Sequence, residues 1–282
     1  MKWLALLVVA ACSFEEAVPD PPGSGSGSGS GQGPADDPND GGSGSASSIW
    51  QPHPGTRWQW QLSGTIDASL DVAMYDIDLF DAPQATIDAL HARGVHVVCY
   101  FSAGSREDWR PDAGQFPSSA IGNPLDGWPN EEWIDTRSST VRAIMQARLD
   151  RAVARGCDGV EPDNVDGYQN ANGLGLTAAT QLDYNQFLAR EGHARALSVG
   201  LKNDTDQVPA LVADFEWMLD EQCFQFGECD KVAPFVAANK AVFEVEYGAA
   251  SLAASVCADA NARDLDTLIK NTNVDAWRVS CR

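Results

Sequence analysis

The sequence predicts an α/β fold of the (β/α)8 TIM-barrel type over residues 49–282. Three observations predict it. Eight short apolar runs alternate with runs of helical period. The foldable length is about 234 residues, which suits one such barrel. Polar residues, carboxylates above all, collect where the strand-like runs end, the rim at which a barrel of this type keeps its active site.

The strand-like runs are RWQWQLS (57–63), VAMYDIDLF (72–80), HVVCYFSAG (96–104), GVEPDN (159–164), LSVGLKN (197–203), WMLDEQC (217–223), AVFEVEYG (241–248) and LDTLIKN (265–271). The first two lie close together, so the helix between them is missing or vestigial. PQATIDALHARG (83–94) starts with Pro83 near the first turn and stops at Gly94. STVRAIMQARLDRAVARG (139–156) places Val141, Ile144, Met145 and Leu149 on one face, with Ser139 as cap and Gly156 as stop. TAATQLDYNQFLAREG (177–192) aligns Tyr184, Phe187 and Leu188. A doubly wound open sheet would need a glycine-rich phosphate loop after its first strand, and LSGTIDASLD offers none.

Ahead of this domain the chain reads as a leader and a tether. Residues 1–11, MKWLALLVVAA, have the charged start, short apolar core and small residues of a secretory signal, and are too short to span a bilayer as a finished helix. VAAC resembles the lipobox of bacterial lipoproteins, which implies lipid attachment at Cys12; an ordinary signal cut elsewhere is the alternative. Ser13 after the cysteine favours the outer membrane over the inner. Residues 12–48 form a Gly/Ser-rich linker with a reach of roughly 30 Å. The expected location is the cell envelope, with the membrane contacted only through the lipid.

Residues 1–48 hold six of the 40 acids and one of the 19 Lys and Arg, leaving 34 acids against 18 bases, a balance of −16. Nucleic acid and anionic membrane are poor partners for such a domain, and cations are good ones. Solubility alone would also explain the charge. The domain carries Cys99, Cys157, Cys223, Cys229, Cys257 and Cys281. An even count in an exported chain points to disulfides. Of fifteen pairings the preferred set is Cys99–Cys157, Cys223–Cys229 and Cys257–Cys281; burial of Cys99 and Cys157 as free thiols is the competing possibility. Neither these cysteines nor His53, His91, His96 and His193 have zinc-ligand spacing, so no metal or other cofactor is expected, and a monomer is.

GVEPDN frames the chemistry. Alternation puts Glu161 and Asp163 on one face and Val160 and Pro162 on the other. Pro162 cannot donate to a ladder, which fits a strand that is ending. Asp76 and Asp78, Tyr100 and Ser102, Lys202 and Asn203, Asp220 and Glu221, and Glu244 and Glu246 fall near other strand ends. Buried unpaired carboxylates are costly, so this crowding asks for a reason; Glu161 and Asp78 are the candidates for a purely structural part. Carboxylates around a mouth without metal ligands suit glycoside hydrolysis, in which one acid protonates the leaving oxygen and the other attacks, or activates water. Trp58, Trp60, Trp109, Trp128, Trp133 and Trp217 could stack on sugars, though core packing is the better account of each one.

WQWQLSG, YDIDLFD, VVCYFSAGSREDWRPDAGQFP, DGVEPDNVDGY, VGLKND, DEQCFQFGEC and VFEVEY follow one another from about Trp50 to Tyr247. Together they resemble glycoside hydrolase family 114, the endo-α-1,4-polygalactosaminidase-like proteins. The resemblance implies a (β/α)8 fold and endo-cleavage of α-1,4-linked galactosamine, a cationic polysaccharide. It puts the catalytic pair on Asp163, as nucleophile, and Glu221, as general acid/base, with the reverse order open. It puts Asp76, Tyr100, Asn164, Lys202, Glu246 and Tyr247 along the substrate cleft. Asp220 stands where the family more often has Asn. A non-catalytic surface polysaccharide-binding protein, or a glycosidase for another hexosamine polymer, are the alternatives.

Overall fold

The computed structural model describes residues 49–282; the expected signal, Cys12 and the expected linker lie outside the described residues. Eight parallel strands run in sequential spatial order: β1 (Trp58–Gln61), β2 (Met74–Asp78), β3 (His96–Ser102), then β7 (Gly159–Asp163), β8 (Ser198–Lys202), β9 (Trp217–Glu221), β10 (Val242–Tyr247) and β11 (Asp266–Lys270). This is the strand count, order and direction that the sequence predicts. Between β3 and β7 the chain makes a separate antiparallel sheet of β4 (Ser105–Glu107), β5 (Ile121–Pro124) and β6 (Glu131–Ile134), in the order β4-β6-β5.

The curled sheet departs from the expected ring at its seam. Among the described residues β1 and β11 share no backbone ladder. The Trp58 indole donates to the Asp266 carbonyl oxygen across the gap at 2.7 Å. The free side of β11 is taken by the short antiparallel β12 (Val279–Ser280), and Leu62 N–H donates to the Val274 carbonyl at 2.9 Å. A side chain and the C-terminal segment thus do at the seam what a ladder does elsewhere.

Helices α1 (Gln84–His91), α2 (Ser139–Arg155), α3 (Ala178–His193) and α7 (Ala253–Ala262) cover the outer face, with α4 (Val208–Leu211), α5 (Cys223–Phe226) and α6 (Ala233–Ala237) as single turns. No helix lies between β1 and β2, as expected. The cap of α2 is Ser138 rather than Ser139: the Ser138 hydroxyl accepts from Val141 N–H, the third residue on, which the extended backbone of Ser138 allows. Gly156 ends α2 at φ +80°.

Two apolar layers follow from strand alternation. Outward-facing Ile77, Val97, Phe101, Val160, Val199 and Met218 pack with Ile144, Met145, Leu149, Tyr184 and Leu188 of the helices. Inward-facing Trp58, Trp60, Met74, Val98, Trp217, Leu219, Phe243 and Val245 fill the interior. Gly200 is required there, because a Cβ would sit 2.3 Å from the Trp217 ring. The floor is thus bulky, and Glu161, Asp163, Lys202 and Glu221 lie above it toward the strand ends. The three disulfides pair Cys99 with Cys157, Cys223 with Cys229 and Cys257 with Cys281, the preferred set.

Candidate active site

Four adjacent strands end on the residues of interest: β7 on Asp163, β8 on Lys202, β9 on Glu221 and β10 on Tyr247. The residues after the first three, Asn164, Asn203 and Gln222, have φ of +62°, +49° and +64°. This left-handed step is tolerated best by Asn among side-chain-bearing residues. It takes the chain out of each strand and leaves the last inward side chain at the rim.

Lys202 Nζ is the hub. It lies 2.8 Å from Glu161 Oε1, 3.2 Å from Asp163 Oδ1 and 3.4 Å from Glu221 Oε2, and 4.7 Å from the Trp60 ring centre. Burial opposes its charge, but Asp163, Glu161 and Glu221 outweigh that and hold the ammonium protonated above its ordinary range. Lys202 is 2 % exposed, so it meets the carboxylates from below.

Each of the two upper carboxylates has a phenol and an amide of its own. Tyr100 hydroxyl donates to Asp163 Oδ2 at 3.0 Å, and Asn164 N–H to Asp163 Oδ1 at 2.7 Å. Tyr247 hydroxyl donates to Glu221 Oε1. Asn203 and Glu221 bond reciprocally: the Asn203 amide donates to Oε2 and its carbonyl oxygen accepts Glu221 N–H, both at 3.0 Å. Burial, then the neighbouring carboxylate, pushes both phenols well above the ordinary range, so they act as donors. The Asp163 and Glu221 side chains keep 19 % and 18 % of their surface accessible, where Glu161 and Asp76 have none.

The other expected site residues fall below or behind the rim. Glu161 accepts from the Trp60 indole at 3.1 Å and pairs with Lys202; Asp78 accepts from Phe80 and Asp81 N–H and pairs with Arg110. Both are buried and engaged by partners within the protein. Asp76 is fully buried, and burial, then the Glu161 charge, raises its pKa well above the usual carboxylate range. It therefore sits beneath Glu161 instead of lining the cleft. Glu246 also departs from its expected position. It accepts from Phe224 and Gln225 N–H at 2.8 and 3.2 Å, is 2 % exposed, and anchors the turn after β9. Of the tryptophans, Trp58, Trp60, Trp133 and Trp217 are buried and Trp109 and Trp128 are exposed.

Asn203 is where the sequence places it, beside Lys202 at a strand end. Two further side chains joined to this site, Ser105 and Glu131, carry no expectation from the sequence. They belong to the inserted sheet, whose three- and four-residue strands give no periodic signal.

Residues 42–282 match the family described as Glycoside-hydrolase family GH114. The crystal structure of Aspergillus fumigatus Ega3 in complex with galactosamine superposes with a TM-score of 0.80 at 45 % identity, over 83 % of this chain and 98 % of that one. The glycoside hydrolase domain of PelA from Pseudomonas aeruginosa shares the fold, with a TM-score of 0.63 at 12 % identity over 79 % and 97 %. No curated protein matches the chain. With a family match across the described domain and a relative of this identity over nearly its whole length, the chain is a glycoside hydrolase and belongs to family GH114.

Proposed function

We propose that this glycoside hydrolase cleaves α-1,4-linked galactosamine polymer internally, with Asp163 as nucleophile and Glu221 as general acid/base. The observation that carries this reading is the meeting of these two partly exposed carboxylates on one buried ammonium. Two oxygens held 3.2 and 3.4 Å from one nitrogen can be no farther apart than the sum of those distances, about 6.6 Å. Retaining enzymes hold the pair roughly 5 Å apart, and inverting ones need roughly 6.5–9.5 Å to fit a water, so the ceiling favours retention.

In that scheme Glu221 gives its proton to the glycosidic oxygen as the C1–O bond breaks. Asp163 attacks C1 from the opposite face to form a glycosyl ester. Water, deprotonated by Glu221, then releases the sugar with its original anomeric configuration. Lys202, Tyr100 and Tyr247 hold the carboxylates at fixed positions, so little reorganisation is left for the reaction. The substrate class rests on the galactosamine bound to Ega3 and on the −16 balance of residues 49–282, which suits a chain of ammonium groups.

Defined α-1,4-galactosamine oligomers test the reading. Wild type is expected to release shorter oligomers, and Asp163→Ala and Glu221→Ala to release none. Binding without cleavage by wild type would instead identify a polysaccharide-binding protein. We also propose that the protein is exported and acylated at Cys12, which tethers the domain to the envelope, in the outer membrane. Cys12→Ser should then move it from the membrane to the soluble fraction, and unchanged fractionation would reject the anchor.

A further inference from the structure

The segment FSAGS (101–105) cradles the Asp163–Asn164 peptide. Ala103 and Gly104 N–H both donate to the Asp163 carbonyl oxygen, at 2.8 and 3.0 Å. The Asn164 carbonyl oxygen packs so closely on Gly104 that a Cβ there would lie 1.7 Å from it. From the same peptide a chain of side chains leads away from the site. Asn164 Nδ2 donates to Ser102 Oγ at 3.0 Å. Ser102 Oγ and Ser105 Oγ are 2.5 Å apart. Ser105 Oγ donates to Glu131 Oε2 at 2.9 Å. Ser102 and Ser105 are fully buried and Glu131 is 7 % exposed.

We infer that Glu131, on the inserted three-stranded sheet, is a positioning residue for Asp163, acting through Ser105, Ser102 and Asn164. The chain has one direction that satisfies every partner. An amide N–H2 can only donate, so Ser102 accepts from Asn164 and passes its own hydrogen to Ser105. Ser105 in turn donates to Glu131, which ends the chain as an acceptor. Without that terminal acceptor the hydroxyl hydrogens lose their fixed order, and the restraint on the Asn164 amide loosens to what Ser105 N–H, which donates to Ser102 Oγ at 3.1 Å, still provides. Asn164 is the residue whose N–H bonds Asp163 Oδ1 and whose φ of +62° sets the strand-end turn. Burial, then the charge of Glu107, pushes Glu131 up to about 8, and a glutamine amide keeps an acceptor oxygen for Ser105. The insert thus contributes to the site without touching substrate.

The inference rests on Asp163 being catalytic, and the test separates the two. On galactosamine oligomers, Glu131→Ala is expected to lower kcat about 10- to 100-fold with KM changed less than about threefold, as displaced catalytic groups do. Glu131→Gln should recover most of that loss. Ser105→Ala, which cuts the chain in the middle, should lower kcat by about tenfold or more and decides the matter if Glu131→Ala does not fold. Wild-type kcat in folded Glu131→Ala or in Ser105→Ala would overturn the inference. So would Glu131→Gln as impaired as Glu131→Ala, because the lost feature would then not be an acceptor oxygen. Asp163→Asn is the control arm. If it hydrolyses the oligomers at the wild-type rate, the assignment of Asp163 fails. If it is inactive while Glu131→Ala and Ser105→Ala are not slowed, only the positioning role fails.

Discussion

Asp163 and Glu221 lie on strands separated by β8, and a single cation from that strand, Lys202, holds one oxygen of each, at 3.2 and 3.4 Å. The remaining oxygen of each takes a tyrosine hydroxyl, Tyr100 for Asp163 and Tyr247 for Glu221. The arrangement sets the distance between the two acids from beneath and leaves the upper side for a ligand.

Lys202→Met should therefore abolish the spacing and leave Glu161, which has no exposed surface, as an unpaired charge. Removing one partner of a buried ion pair costs about 3–5 kcal/mol. The variant is expected to unfold at lower denaturant by that amount and to lose at least about 100-fold in kcat. The acidic limb of its pH–rate profile should move to higher pH, because carboxylates that lose a neighbouring cation take up protons more readily. A variant with wild-type kcat would show that the lysine is a bystander.

Beneath Lys202 the two buried acids differ in their partners, and their variants should differ too. Glu161 is the nearest carboxylate to the ammonium, whereas burial, then the Glu161 charge, raises the Asp76 pKa well above the usual carboxylate range. Asp76→Asn leaves the Lys202 pair intact and should cost less than about 1 kcal/mol in stability. Glu161→Gln removes a charge from a buried pair and should cost about 3–5 kcal/mol. Chemical denaturation of both variants checks the order. The reverse order would make Asp76 the acid on which the buried site depends.

How much of this was legible in the sequence depended on which face of a strand meets what. GVEPDN has one polar inward face and Val160 outward beneath α2 and α3, so alternation placed Glu161 and Asp163 correctly. VFEVEY alternates just as cleanly, yet its glutamates face outward. Phe243 and Val245 fill the interior beside Trp58 and Trp217, while Glu246 meets the backbone of the single-turn α5. Alternation fixes two faces without saying which is inside, and a barrel with an apolar floor reverses the usual guess. Strand order was readable because it follows from sequential packing of parallel strands, and the Cys99–Cys157 pair because it joins the neighbouring β3 and the entry of β7. The β4–β6–β5 sheet was not, since its three- and four-residue strands are too short for periodicity. The seam was not either, because side-chain and antiparallel contacts there leave no pattern.

Stability should fall as pH rises through neutrality. Glu131 and Asp204 are pushed up to about 8 and Asp266 to about 7, in each case mainly by burial. These acids keep protons in the folded domain that the unfolded chain releases near pH 4. Between about pH 4 and pH 8 the folded state therefore binds more protons, and its stability is fully present below that window and lost across it. Lys270, lowered to about 8 by burial, acts with the opposite sign only above that pH. Tm measured at steps from pH 5 to 8 should decline, and Asp266→Asn should flatten the slope. A Tm that rises over this range would contradict the assignment.

If ammonium groups are what the acidic domain grips, apparent affinity for galactosamine oligomers should weaken with salt. Exposed charges are screened over roughly 10 Å at 0.1 M ionic strength and roughly 3 Å at 1 M. KM is expected to rise between these conditions with little change in kcat. The same titration with N-acetylated oligomers, which carry no charge, should be flat. Equal salt dependence for both would assign the effect to the protein alone.

Two of the disulfides should separate stability from activity. Cys99–Cys157 ties β3 to the entry of β7 across 58 residues of chain, and closing a loop of that length is worth about 4 kcal/mol through the unfolded state. Cys223–Cys229 spans only six residues and is worth about 2 kcal/mol by the same reasoning. It closes the turn immediately after Glu221, however, where Glu246 takes the N–H groups of Phe224 and Gln225. The paired alanine variant of Cys99 and Cys157 should lose more stability and keep most of its kcat, since the β3–β7 ladder still holds Tyr100 beside Asp163. The paired variant of Cys223 and Cys229 should lose less stability and more kcat, because the turn that aims Glu221 then loses its covalent restraint and relies on Glu246 and backbone bonds. Denaturation midpoints and turnover measured on the two variants give the comparison. Parallel losses in both quantities would mean that the Cys223–Cys229 turn has no separate part in the site.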